Sequence, residues 1–455
     1  MSSYHEEQTR MFGRATEVMR AWNLLLDRSA AVRSGRRIRL TRFSRILALY
    51  QSDFGSVPKT IKVTGTSGKG SLCAILESMF LRDGSRVLTF TSPHLIRPNE
   101  RIRLDGLAIS NEALNNASEQ AMPFFDKVLD ILGDEFQPSF FETMLLLALH
   151  IARACSVDLV LLEVAVGGYN DVVSLFPSPL AVITTVGLDH RNELGENIQE
   201  IAVDKAGIAS SGSSLVLGPS VADSAMFAIF GDVLRRGIEV VQADRGRINI
   251  RKAGSYGFEI QVGDLCFKFP LPGEFQLDNL ATAIAVFESA RTIGWARSWA
   301  SIAGASQAHL PARLEFIPGS PPYLLDTAHN SLAFLQLLNH LKKYYTTPKI
   351  ALVFGASELS KVEEGLQILS PVADVIFLTS GFYRSAIGAS KEVPFASLST
   401  EKTRFFKTPS EAHHALSADA HYFDLAVVTG SIFLVGAWKE ILRIGTTNKV
   451  ELKHS

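Results

Sequence analysis

Lys62–Ser71, KVTGTSGKGS, decides how the rest of the chain is read. It packs three glycines, two lysines and four hydroxyl residues between two apolar regions. The strict phosphate-loop pattern is Gly, four residues, Gly-Lys, then Ser or Thr. Here Val63 stands where the first glycine belongs, and Gly70 separates Lys69 from Ser71. The surroundings must therefore decide between a phosphate cradle and a plain turn. VPKTIKVTG reads as a strand running into a glycine turn, and SLCAILESMFLRDG as an amphipathic helix closed by Gly84. A loop in that position offers unpaired helix-start amides to an anion.

The alternation continues outward. A helical start is expected from about Tyr4 to Leu49. RVLTFTSP, VDLVLLEVAVGG and LAVITTVGLDH read as strands, FFETMLLLALHIARAC and IQEIAVDKAGIAS as helices. Apolar, β-branched runs separated by helices predict a parallel sheet covered on both faces. Between about Ser211 and Pro272 the pattern changes to short antiparallel strands forming a small edge sheet, before EFQLDNLATAIAVFESARTIG returns to helix. After a boundary between about Ser298 and Ala312, PPYLLDTAHN, KIALVFGAS, DVIFLTS and DLAVVTG give the strands of a second, smaller α/β domain. The expected division is 1–311 and 312–455.

The chain has 455 residues, 47% of them hydrophobic and 20% charged, enough for two or three cores. The 45 basic and 46 acidic side chains nearly cancel, so no general nucleic-acid surface is expected. The apolar runs carry Glu142, His150, Arg153 and Asp158, which suits buried elements better than a membrane span. Cys73, Cys155 and Cys266 make neither zinc spacing nor a disulfide framework. The expectation is a cytoplasmic monomer. There is no Gly-x-Ser-x-Gly elbow, and no dinucleotide glycine pattern follows a strand in the first domain.

Several residues carry candidate chemistry, each with a plainer alternative. Lys69 is suited to hold terminal phosphates, or is an exposed lysine on a turn. Ser71 is placed to offer its hydroxyl to magnesium, while Gly65, Gly68 and Gly70 let the backbone approach a ligand. Glu163 ends a run that should be buried, so it pairs with a metal or a structural cation. Asp171 contacts substrate or holds the turn GGYND. His190 closes TTVGLDH at a strand end, where ligands bind in open sheets, or is a packed or capping residue. Lys205 lies on a helix whose lysines ordinarily reach water. Arg313 in LPARLEF, and Asp326, His329 and Asn330 in LLDTAHN, offer phosphate-, ribose- or base-binding groups.

Taken in order, VTGTSGKGS, TSPHLIRPNERIRLDG, FFETMLLLALHIA, LLEVAVGG, VGLDHRNELGENIQEIAVDKAGI, LPGEFQLDNLATAI, LPARLEF, LLDTAHN and VFGAS resemble the Mur ligase superfamily, within it the folylpolyglutamate synthase and dihydrofolate synthase branch. The Gly-Lys-Gly-Ser order that fails the strict pattern is the order of this branch. The resemblance covers nearly the whole chain. It implies a phosphate-loop ATPase domain followed by a Rossmann-like C-terminal domain that closes over ATP and binds the incoming amino acid. It also implies an ATP-dependent amide ligase joining a carboxylic acid to an amino acid, L-glutamate in the folate branch, through an acyl phosphate. By similarity the loop Gly65, Thr66, Ser67, Gly68, Lys69, Gly70 and Ser71 contacts the nucleotide, with Asn279 near adenine and Arg313, Asp326 and His329 adding nucleotide contacts. Ser71 and Glu163 hold one Mg2+ and His190 helps bind a second. Lys205 matches a lysine that is carbamylated in many relatives. Ser92, Pro93 and His94 belong to a loop beside the acceptor.

The chain also departs from the branch. Ser67 replaces an asparagine. The branch reads Gly-Gly-Arg-Leu-Asp-Ala-Thr-Asn after the glutamate, but this chain reads GGYNDVVS, so Tyr169 replaces an arginine and Ser174 an asparagine. ELSKVEE replaces a lysine- and aspartate-rich stretch after VFGAS. The changes leave the nucleotide and metal positions largely intact and fall on the expected acceptor side, with Tyr169 and Asp171. Ligation of a non-folate acid, and a catalytically weak ATP-binding homologue, stay open as alternatives.

Overall fold

A computed structural model describes residues 20–28, 36–345, 348–380, 398 and 400–451. The part of the expected N-terminal helix at 4–19 and 29–35 lies outside the described residues; Arg20–Arg28 and Arg36–Phe54 are helical. Two compact units form, the first from the chain up to His94, Pro98–Arg245 and Asn279–Ala305, the second from Leu95–Arg97, Gly246–Asp278 and the chain from Ser306 onward.

The first unit is built on strands β1 (Thr60–Thr64), β2 (Val87–Phe90), β3 (Ile102–Leu104), β4 (Leu107–Ala108), β5 (Leu159–Glu163), β6 (Leu180–Ile183), β7 (Ser214–Leu217) and β8 (Glu239–Gln242). They form one sheet in the order β4-β3-β2-β5-β1-β6-β7-β8. From β2 to β8 the pairings are parallel. β1, β2, β5 and β6 are buried at every position, as expected for a sheet covered on both faces. The helix Lys69–Arg82 supplies Leu72, Ile75, Leu76, Met79 and Phe80, all fully buried. Each such side chain contributes roughly 1.5–3 kcal/mol of hydrophobic stabilisation.

One local reading is corrected. The change of pattern does not begin at Ser211, because β7 and β8 still pair in parallel and the helix Asp223–Val233 lies between them. Four-residue strands carry too little periodicity to separate them from loop. At the other edge β3 and β4 make an antiparallel hairpin onto β2. Its turn is Asp105-Gly106, with φ 50 and 88. That Asp-Gly dipeptide is a strong hairpin signal.

In the second unit β9 (Ile248–Gly254), β10 (Gly257–Val262) and β11 (Leu265–Phe269) form a separate antiparallel sheet. β12 (Glu315–Ile317), β13 (Tyr323–Leu325), β14 (Ile350–Phe354), β15 (Val375–Thr379), β16 (Thr403–Phe406) and β17 (Leu425–Thr429) form a sheet in the order β12-β13-β17-β14-β15-β16. All its pairings but β12–β13 are parallel. Apolar cores lie on both faces, one around Phe334, Leu337 and Phe354, the other around Phe377, Val428 and Trp438. Among the described residues no helix is long and apolar enough to cross a membrane.

Candidate active site

β1 runs into the loop Gly65–Gly68, and the helix Lys69–Arg82 starts directly after it. Gly68 sits at the helix N-cap with φ 87, and a Cβ there would lie 2.4 Å from Asn279 Oδ1. Gly65 has φ 150, and a Cβ would lie 1.9 Å from Thr184 Oγ1. Only glycine fits either place. The loop is braced by the pair Thr184-Thr185 just past β6. Thr66 N–H donates to Thr185 O at 3.0 Å, and Ser67 N–H to Thr185 Oγ1 at 2.9 Å. Thr184 Oγ1 donates to Ser67 O at 2.5 Å. Thr66 Oγ1 accepts from Gly187 N–H at 2.9 Å. Sequence reading passed over both threonines, although two hydroxyls closing an apolar strand were a visible signal.

Lys69 folds its ammonium back over the loop and donates to Gly65 O at 2.9 Å. Ser71, on the first turn of the helix, is 3% exposed. Glu163 ends β5 opposite Val63 of β1, at the sheet end where β1 enters the loop. Its carboxylate is buried and accepts from Ser92 N–H at 2.9 Å. Glu163 and Lys69 both act on the buried Cys73, whose thiol is pushed well above its usual range by burial and then by Glu163, with Arg103 and Lys69 pulling it down. The loop, Lys69 and Glu163 therefore share one end of the sheet. An open cavity of about 470 Å³ lined by Lys59, Thr60, Ser178, Ser210 and Trp295 lies where β1 and β6 begin, at the opposite end.

Ser92, Pro93 and His94 follow β2. Arg101 Nε donates to His94 Nδ1 at 2.9 Å, so that nitrogen carries no proton. Burial, then the Arg101 charge, push His94 down to about 3. The Arg101 guanidinium also stands 4.9 Å over the Phe140 ring.

The turn GGYND is built on helix Ile198–Ala206. Gly168 N–H donates to Asp204 Oδ1 and Tyr169 N–H to Asp204 O, each at 2.8 Å. A Cβ on Gly168 would meet the carbonyl oxygens of Asp204 and Lys205 at 2.6 Å. Lys205 itself is 3% exposed, so the expectation that its amine reaches water gives way to burial beside this turn. Asp171 spends both oxygens on the chain, accepting from Ala165, Val166 and Val173 N–H at 2.9 to 3.3 Å. That geometry favours the turn-holding alternative over substrate contact. Tyr169 is 62% exposed. His190 opens the short helix Arg191–Leu194 in a left-handed conformation, φ 50, with its ring 43% exposed and Nε2 4.0 Å from Asp189 Oδ1.

In the second unit Asp326 Oδ2 accepts from Leu314 N–H and Oδ1 from Ala328 N–H, both at 2.9 Å. It ties the strained segment Ala312–Leu314, with φ 57 and 50 at its ends, to the end of β13. Burial raises Asp326, with Arg313 and these two N–H groups pulling it back down. His329 Nδ1 lies 2.9 Å from Thr327 O, and a carbonyl only accepts, so Nδ1 carries the proton. Asn330 caps helix Ser331–Tyr344 through Ala333 N–H at 3.0 Å.

Known proteins share this arrangement. Residues 312–432 match the Mur ligase, glutamate ligase domain. The chain is 30% identical over 396 residues to a Bacillus subtilis dihydrofolate synthase/folylpolyglutamate synthase, spanning 85% of this chain and 90% of the relative. Mycobacterium tuberculosis folylpolyglutamate synthase complexed with ADP superposes with a TM-score of 0.79 at 25% identity, covering 93% of this chain and 98% of that one. The apo form of the L. casei enzyme does so with a TM-score of 0.76 at 27% identity, covering 93% and 99%. With likeness over almost the full length of both partners, the chain belongs to the dihydrofolate synthase/folylpolyglutamate synthase family.

Proposed function

We propose that this protein is an ATP-dependent carboxylate–amine ligase that adds L-glutamate to dihydropteroate or a folate. The observation that carries this reading is the 30% identity over 396 residues to a dihydrofolate synthase/folylpolyglutamate synthase. The acceptor carboxylate attacks the γ-phosphate of ATP, giving an acyl phosphate and ADP. The glutamate amine then attacks the acyl carbon, the amide forms and phosphate leaves.

The chain's own groups suit this chemistry. The loop backbone and the helix start favour phosphate oxygens. Lys69 would exchange Gly65 O for a phosphate and offset charge during transfer. The roles of Asn279, Arg313, Asp326 and His329 toward the nucleotide follow the resemblance, and a domain division at 311/312 follows the change of sequence pattern between about Ser298 and Ala312.

The donor set suits magnesium. Ser71 and Glu163 offer oxygen atoms, and among the described residues no group of three or more His, Cys, Asp or Glu could enclose an ion. Magnesium is ordinarily held by one or two protein oxygens together with substrate phosphates. When bound it supplies further neutralisation of phosphate charge; His190 is assigned to a second ion. Lys205, buried beside the GGYND turn, is the lysine to which the resemblance assigns a carbamate.

A second reading, ligation of a non-folate acid, draws on the exposed Tyr169 standing where the branch has arginine. ADP release with ATP, magnesium and glutamate, with and without dihydropteroate or reduced folates, tests the proposal. Release that needs both acceptor and glutamate supports it. Release indifferent to every folate would move the assignment to another acid.

A further inference from the structure

β1 carries a lysine that the proposed reaction does not use. Lys62 is fully buried in the middle of the strand. Its Nζ donates to Phe176 O at 2.9 Å, Ser210 Oγ at 3.3 Å and Ser174 O at 3.5 Å. Two residues on, Thr64 Oγ1, on the same face of β1, donates to Gly167 O. The polar face of β1 thus grips the segment 167–176 at both ends. Between those ends lie Gly168 and Tyr169, bonded to Asp204. Ser174 Oγ bonds Tyr169 O at 3.2 Å, linking the anchored end back to the turn. Ser210 follows the helix that carries Lys205.

We propose that Lys62 is a positioning residue for the acceptor side, whose ammonium fixes the GGYNDVVS segment against the end of the Lys205 helix. This rests on the reading that the segment lines the acceptor side. Without the ammonium, two carbonyls lose their shared donor where β1 covers them, and the segment keeps its Gly167 end, its bonds to Asp204 and the Asp171 turn but loses its tie to β1 at Ser174 and Phe176. β1 also feeds the phosphate loop, but that loop is braced separately by Thr184 and Thr185. The effect therefore falls on acceptor or glutamate, not on ATP.

The surroundings make the anchor sensitive to pH. Burial, then Arg236, lower Lys62 to about 8. Arg236 pairs with Asp232 at 2.9 Å and donates to the Ala206 and Ala209 carbonyls. The segment Ser174–Phe176 presents carbonyls to the ammonium, and Ser210 a hydroxyl. Above about pH 8 the amine loses its proton and the grip weakens.

The test compares the full-length wild type, Lys62→Met and Lys62→Arg, after thermal melts identify the folded variants. Steady-state kinetics with ATP, dihydropteroate and glutamate are run from neutral to alkaline pH. Lys62→Met should raise the KM of dihydropteroate or glutamate about tenfold, with the ATP KM within twofold. The wild-type KM should rise through pH 8, and Lys62→Arg, which keeps its charge, should flatten that rise. If Lys62→Met does not fold, the comparison of wild type with Lys62→Arg decides. Equal changes in all three KM values, or identical pH profiles, would overturn the proposal. Amide hydrogen exchange separates this from failure of the substrate assignment. Residues 167–176 should exchange faster in Lys62→Met and not in Lys62→Arg, even if no folate is turned over. Unchanged exchange there would sink the anchor itself.

Discussion

Gly68→Ala puts the phosphate loop under a defined strain. Gly68 has φ 87, and a non-glycine residue in that region costs about 1–2 kcal/mol. The new Cβ would lie 2.4 Å from Asn279 Oδ1, whereas ordinary contact begins at 3.4 Å, so the amide must retreat by about 1 Å. Overpacking of this kind adds about 1–3 kcal/mol. The strain is relieved by moving the loop, which misplaces amides that must meet phosphate oxygens at hydrogen-bond distance. A loss of about 2–3 kcal/mol in binding corresponds to roughly 30- to 150-fold weaker ATP. Gly212→Ala is the internal control. Gly212 has φ 73 but nothing within 4 Å of its added Cβ, so it takes the backbone cost alone, away from the loop. Titration calorimetry with ATP and magnesium, alongside melts, separates the effects. Both variants should melt lower, and only Gly68→Ala should lose ATP affinity. ATP binding by Gly68→Ala within threefold of wild type would refute the cradle.

Glu163→Gln and Lys69→Ala should each cut turnover at least a hundredfold with melting temperatures near wild type, checked by ADP release; near-normal turnover in either would count against its proposed role. Arg42 and Glu142 form a buried ion pair, 6% and 1% exposed, so Arg42→Met should cost about 3–5 kcal/mol in urea unfolding by stranding the carboxylate. His94 is held neutral down to about pH 3, well below its unfolded value. The unfolded chain therefore binds a proton that the folded chain refuses, and stability should fall as pH drops from about 6.5 toward 3. His94→Asn, followed by denaturation across that window, should remove this part of the acid sensitivity.

The architecture was legible because the sheet is parallel and buried, so its strands are near-continuous apolar runs. The loop was legible from its setting, not from its deviant spacing. What escaped reading depends on contacts between distant segments. Thr184 and Thr185 brace Ser67 from more than a hundred residues away, so the sequence shows two hydroxyls closing an apolar strand but not the loop they hold. The sequence offers Asp171 both substrate contact and the turn, and the three N–H groups around it favour holding the turn. Lys62 reads as one of two lysines of the opening stretch, on its strand, and only the Phe176 carbonyl and Ser210 hydroxyl from distant segments show where its ammonium goes. β8 is hard to read because an exposed edge strand loses the apolar run that announces a central one, and β7, though largely buried, is only four residues long.

The most direct test of the central claim uses dihydropteroate labelled with heavy oxygen in its acceptor carboxylate, incubated with ATP, magnesium and glutamate, with mass spectrometry of both products. Ligation through an acyl phosphate predicts a product heavier by one glutamyl residue and one labelled oxygen carried into each phosphate released. A glutamylated product with unlabelled phosphate would contradict the acyl-phosphate route, and phosphate release with no glutamylated product would contradict ligation itself.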